Sequence, residues 1–145
     1  MKSAELIKAF ARSLGLLDSV PTADEEYLFV FDDTLEIRLL PEGEESIVIY
    51  GTLGNLSDDP GSCNRMLRTL LTANIDTKVL ADDCVLSLDK EKREIVLYRR
   101  LDSSNMSTDT LSKVIEKYLN ELESSKNALE VASSTWESSP FILLP

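Results

Sequence analysis

The 145-residue sequence contains no histidine. That single absence excludes Ser-His-Asp and Cys-His nucleophilic sites, histidine general bases and histidine-ligated metals together. Glycine and proline number five each, too few for a linker or a collagen-like repeat. The two cysteines, Cys63 and Cys84, form no CxxC pair. They fit buried thiols in a reducing compartment, and a disulfide between them stays open. No apolar run approaches the about 20 residues that span a bilayer. The opening Met1-Lys2-Ser3-Ala4-Glu5 lacks the apolar core of a signal peptide. GxxxxGK[ST], GxGxxG, GxSxG and calcium-loop spacings are all missing. Neither a cofactor nor a catalytic centre is therefore expected, and the chain reads as non-enzymatic.

Basic charge is also scarce. Lys and Arg total 15 against 26 Asp and Glu, for a net charge of -11. A nucleic-acid binder needs a basic footprint and an anionic membrane surface repels this chain, so neither nucleic-acid binding nor membrane insertion is expected. The imbalance is local. Residues 18–59 hold twelve acidic side chains and one basic one, Arg38, so this third of the chain carries the whole excess. Acidic loop tips serve solubility; a contiguous acidic field can also steer a basic partner. Three Asp-Asp pairs (Asp32-Asp33, Asp58-Asp59, Asp82-Asp83) invite a metal reading, but adjacent residues on a strand point to opposite faces and do not converge on one ion.

What is present is patterning. In residues 3–17, Leu6, Ile7, Phe10, Ala11, Leu14 and Leu17 share one arc of a helical wheel, with Ser3 placed as N-cap. Residues 27–31 form a wholly apolar run, expected to be a strand buried on both faces or nearly so. After a turn at Asp32-Asp33, residues 34–40 alternate, with Leu35, Ile37 and Leu39 on one face. Residues 41–44 have turn chemistry, and residues 46–50 supply a third strand. Asp59-Pro60 opens a second helix, whose stripe is Cys63, Met66, Leu67, Leu70 and Leu71. Strands are expected at 77–88 and 93–101, and a third helix from the N-cap Ser107 to about residue 130. Residues 131–145 read as a flexible Ser-rich tail with an apolar end, Pro140 to Pro145, outside a single domain covering 1–130. The order αβββαββα makes an α+β sandwich, three helices packed on a mainly antiparallel five-stranded sheet.

Several stretches carry a resemblance. They are Leu6 to Leu16 with its Leu-Gly-Leu ending, Ile49-Tyr50-Gly-Thr-Leu-Gly54, Leu70-Leu71-Thr72-Ala73-Asn74, and the paired Leu86-Ser-Leu-Asp89 and Ile95 to Leu101. In this order and spacing, over roughly residues 3–125, the chain resembles the class I type III secretion chaperones, the Tir-chaperone-like (CesT-like) family. The resemblance implies a homodimer in the bacterial cytoplasm. It would hold the N-terminal region of a secreted effector in extended form, without nucleotide or other cofactor. It also implies a dimer interface on the second helix, at Cys63, Met66, Leu67, Leu70 and Leu71, and an effector groove at Phe10, Leu14, Leu28 and Val30. Two other readings stay open: a small carboxylate-dependent metal enzyme, and a regulatory or structural dimer of the same fold.

Overall fold

The computed structural model describes residues 2–16, 25–75 and 84–138, with side chains for 2–16, 25–72 and 84–130. The elements run α1 (Ser3–Ser13), β1 (Tyr27–Phe31), β2 (Leu35–Glu42), β3 (Ser46–Asn55), α2 (Pro60–Ile75), β4 (Val85–Asp89), β5 (Glu94–Asp102) and α3 (Thr108–Ser138). This is the expected αβββαββα order. The five strands form one sheet in the order β1-β2-β3-β5-β4, and every neighbouring pair is antiparallel.

The core lies between one face of this sheet and the helices. Tyr27, Phe29, Leu35, Ile37, Leu39, Ile47, Ile49, Ile95, Leu97 and Leu101 point into it from the strands. Leu6, Ile7, Phe10 and Ala11 enter from α1, Leu70 from α2, and Leu111, Ile115, Tyr118 and Leu122 from α3. Phe10 meets Phe29 edge-on, with ring centroids 5.5 Å apart. The Tyr118 hydroxyl donates to the Leu97 carbonyl at 2.5 Å, which ties α3 to the sheet, and burial pushes its pKa up.

Local chemistry sets the element ends. Asp32 and Asp33 both adopt positive φ, at 52° and 57°, and Thr34 N–H closes the turn onto the Phe31 carbonyl. The loop between the paired Phe31 and Leu35 is thus three residues long, Asp32-Asp33-Thr34, and opens with a tight turn whose two central residues are left-handed. Asp59 caps α2, its carboxylate accepting from the Ser62 N–H at 2.9 Å, and Pro60 is the first helical residue. Ser107 caps α3 through the Thr110 N–H.

Five boundaries differ from the expectation. Helix α1 ends at Ser13 instead of running to residue 17, and Gly15 just beyond it takes a positive φ of 84°. Lys2, not Ser3, is the N-cap of α1; the Ser3 hydroxyl instead donates to the Gly43 carbonyl and anchors the helix to the β2–β3 hairpin. Strand β2 runs through Pro41, which is tolerated because β1 pairs with β2 only as far as Leu39 and, among the described residues, the next positions have no strand partner on that side. Strand β3 continues to Asn55 by pairing with β5, through an irregularity between Thr52 and Gly54. Helix α3 reaches Ser138, because residues 131–138 contain no glycine or proline to stop it. Most of the strand expected at 77–88 falls outside the described residues, as do 139–145; the described part of β4 starts at Val85.

Gly51 lies directly under Leu122 of α3. A Cβ there would lie 3.0 Å and 3.2 Å from the two methyl carbons of Leu122 and 3.2 Å from the Glu36 carbonyl oxygen. Gly51→Val is expected to cost about 2–3 kcal/mol, since neither the backbone oxygen nor a fully packed leucine can yield the space. The midpoint of urea unfolding followed by circular dichroism would fall accordingly; an unchanged midpoint would mean that α3 is not seated on β3.

Candidate partner-binding surfaces

All three helices contribute to the core on one face of the sheet, so the other face is open among the described residues. The register places its side chains in rows. Leu28 faces Arg38, Arg38 faces Tyr50, Tyr50 faces Tyr98, and Tyr98 faces Val85, one row across all five strands. Beside it lie Val30 opposite Glu36, and Leu40 opposite Val48, which in turn faces Arg100. Val48 is only 4% exposed yet lies outside the main core cluster, shielded by its neighbours on this second face.

The centre of the open face is held by polar and aromatic contacts. Arg38 lies over the Tyr50 ring and Arg100 over the Tyr98 ring, each 6.0 Å from the centroid. Arg38 also pairs with Glu26 at 3.6 Å and Glu36 at 3.5 Å, and Arg100 with Glu42 at 3.0 Å. The Tyr50 hydroxyl donates to Glu26. Partial burial, followed by this bond to a carboxylate, pushes the Tyr50 pKa up to about 12. The hydrogen bond with Tyr50 leads the causes that raise the Arg38 pKa. Tyr50 therefore stays neutral and Arg38 charged at neutral pH, and their contacts with Glu26, just before β1, brace β1, β2 and β3 together.

Toward β1 the surface turns apolar. Leu28 is 47% and Val30 56% exposed, while Tyr27 and Phe29, which alternate with them, are buried. This corrects the expectation that residues 27–31 are buried on both faces: the strand alternates, because helices cover one side only. Of the four residues expected to form a groove, the structure brings Leu28 and Val30 together on the open face. Phe10 is 2% exposed and points to the opposite, core face against Phe29. Leu14 is exposed at the end of α1, next to the exposed Leu16. Tyr50 and Tyr98 were not singled out by the sequence; only the cross-strand register shows that they stack beside two arginines.

On α2 the five stripe residues divide. Leu70 is spent on the core, Met66 packs against it, and Cys63 and Leu67 are half-buried. Leu71 is 62% exposed, and on β4, at the end of the sheet order, Val85 is exposed too. Both cysteines carry free thiols. Among the described residues no group of three or more Cys, Asp or Glu could hold a metal ion, and no helix is long and apolar enough to cross a membrane.

An antiparallel sheet armoured by helices on one face, with braced aromatics and exposed aliphatic residues on the other, defines a protein-binding module. The model of the Tir chaperone protein (CesT) family matches residues 5–126, and the chain belongs to that family. The type III secretion chaperone SycH of Yersinia pestis, solved in complex with a stable fragment of YscM2, is 21% identical with a TM-score of 0.58. That match covers 83% of this chain and 96% of the other. A chain of the ExsC–ExsE complex has a TM-score of 0.67 at 17% identity, covering 87% and 92%. A chain of the heterodimeric ExoU–SpcU complex from the type III secretion system of Pseudomonas aeruginosa has a TM-score of 0.58 at 16% identity, covering 87% and 96%. These likenesses establish a shared fold. No curated protein sequence matches the chain.

Proposed function

We propose that this protein is a non-enzymatic chaperone of type III secretion that acts in the bacterial cytoplasm as a homodimer. It binds the N-terminal region of a secreted effector in extended form and keeps it soluble and competent for export. The observation that supports this most directly is the pair Leu28 and Val30, both exposed on a strand that is itself an edge of the sheet. An edge offers unpaired backbone groups, and aliphatic side chains beside it offer pockets, a combination that tolerates variation in ligand sequence. Leu14 is exposed at the end of α1, on the helix side of the sheet, and Phe10 supports the edge from below by fixing Phe29 and hence β1. Recognition of this kind uses no nucleotide or metal. The structures named above include a type III secretion chaperone in complex with a fragment of another protein and a heterodimeric complex from a type III secretion system.

Co-purification from the source bacterium tests the reading. A single secreted protein should accompany the chaperone in stoichiometric amount, and proteolysis of the complex should leave a protected segment near that protein's N-terminus. A chaperone that returns alone from cells actively secreting would overturn the proposal.

The second surface, α2 with the terminal strand β4, is assigned to the dimer, with Cys63, Met66, Leu67, Leu70 and Leu71 as its helical contribution. Because Leu70 is already core, Leu71 is the informative position. Leu71→Glu would bring a charge into the interface and weaken the dimer by about 2 kcal/mol, about thirtyfold in dissociation constant, while the protomer stays folded. Sedimentation equilibrium measures this; an unchanged dimer would place the interface elsewhere.

A further inference from the structure

Among the described residues, strand β1 is an unpaired edge of the sheet. Its sequence, Tyr-Leu-Phe-Val-Phe, holds no lysine, proline or inward-pointing charge of the kind that normally blunts an exposed edge, and no described strand pairs with its outer side. Acids bracket it. Glu25 precedes the strand and Asp32-Asp33 follow it, all three exposed, and none forms an ion pair among the described residues. Glu26, the next acid, is already engaged by Tyr50 and Arg38. Glu36 faces Val30 across the hairpin on the open face.

We propose that the segment received on this edge is a strand with a basic residue at each end: two aliphatic side chains two residues apart, flanked by Lys or Arg about seven residues apart. The inference rests on the effector-binding reading and specifies its ligand. The spacing follows from the strand itself. Glu25 and Asp32 are seven positions apart, about 23 Å at the rise of an extended chain. A paired strand of that length puts its alternate side chains beside Leu28 and Val30 and its two ends beside the two acidic sites. Glu25 lies three residues before Leu28 and Asp32 two after Val30, so a ligand with its basic residues two before and three after its aliphatic pair fits when antiparallel to β1. Rim charges of this kind act on encounter and selection more than on the strength of the apolar contact.

Two capped peptides test the idea against the full-length protein: Lys-Thr-Val-Thr-Val-Thr-Thr-Lys and the same sequence with glutamate at both ends. Binding is read by chemical-shift titration of the 15N-labelled protein at millimolar peptide. The lysine peptide should bind about tenfold more tightly at low ionic strength, the sum of several weak exposed pairs. The preference should largely vanish near about 1 M salt, where screening acts within about 3 Å. Perturbed amides should centre on β1. The combination Glu25→Gln, Asp32→Asn, Asp33→Asn should abolish the preference without unfolding the hairpin, since Asn accepts the left-handed φ that both aspartates hold. Leu28→Ser with Val30→Ser should abolish binding of both peptides. Equal affinity for the two peptides, with binding still lost in the serine variant, would overturn the charge inference and leave the effector-binding reading intact. No binding of either peptide, or binding indifferent to Leu28 and Val30, would overturn both.

Discussion

Tyr118→Ala will remove about 3–5 kcal/mol of stability, the largest loss expected from any single truncation on α3. Tyr118 is 1% exposed and stands in the middle of the helix stripe that includes Leu111, Ile115 and Leu122. Truncation empties a ring-sized volume between α3 and the sheet, which the surrounding side chains can only partly refill. It also deletes the hydroxyl that donates to the Leu97 carbonyl. A domain of this size has roughly 5–15 kcal/mol in hand, so the variant should remain folded at low temperature with a melting temperature lower by about 10–20 °C. Tyr118→Phe separates the two contributions, because it keeps the ring and removes only the hydrogen bond, at about 1 kcal/mol. If the alanine variant melted no earlier than the phenylalanine one, the ring would not be core.

The second large effect is functional. Leu28→Asp combined with Val30→Asp should reduce effector affinity at least about a hundredfold and leave the fold intact. Two aliphatic contacts worth about 1.5–3 kcal/mol each when fully buried are lost, and each new carboxylate resists desolvation beneath the bound segment. Folding tolerates the change because both positions are half-exposed on the open face, and the aspartate at 28 lies opposite Arg38. Phe29→Ala, one residue away, should do the reverse and destabilise the protein, since Phe29 packs edge-on against Phe10 in the core. Binding is measured by calorimetry with the co-purified effector fragment, and folding by thermal melts. If the double variant unfolds, Leu28 and Val30 carry structural weight that their exposure conceals; if it folds and binds normally, the effector lies elsewhere.

That neighbouring positions in one strand have opposite consequences shows where sequence reading stops. Tyr27 to Phe31 are all apolar, so nothing in the run itself distinguishes the inward pair Tyr27 and Phe29 from the outward pair Leu28 and Val30. In β2 the distinction was legible, because Glu36 and Arg38 interrupt Leu35, Ile37 and Leu39. The same limit explains Phe10 and α2. A helical wheel shows that Cys63, Met66, Leu67, Leu70 and Leu71 share a face, but only packing against β4 and α3 decides that Leu70 turns inward and Leu71 outward.

What the sequence determined by itself is what depends on near neighbours. The absence of histidine and of nucleotide motifs, the acidic segment, the αβββαββα order, the cap at Ser107, the proline opening of α2 and the turn at Asp32-Asp33 all follow from composition or from residues a few positions apart. The tertiary structure decided what depends on distant ones. It inserted β5 between β3 and β4, extended β3 through Gly51 to Asn55, seated Leu122 over Gly51, and stacked Arg38 and Arg100 on Tyr50 and Tyr98. The reason is physical: caps and turns are satisfied by hydrogen bonds within a few residues, whereas strand pairing and the choice of a buried face are settled by whichever distant segments together remove the most apolar surface from water.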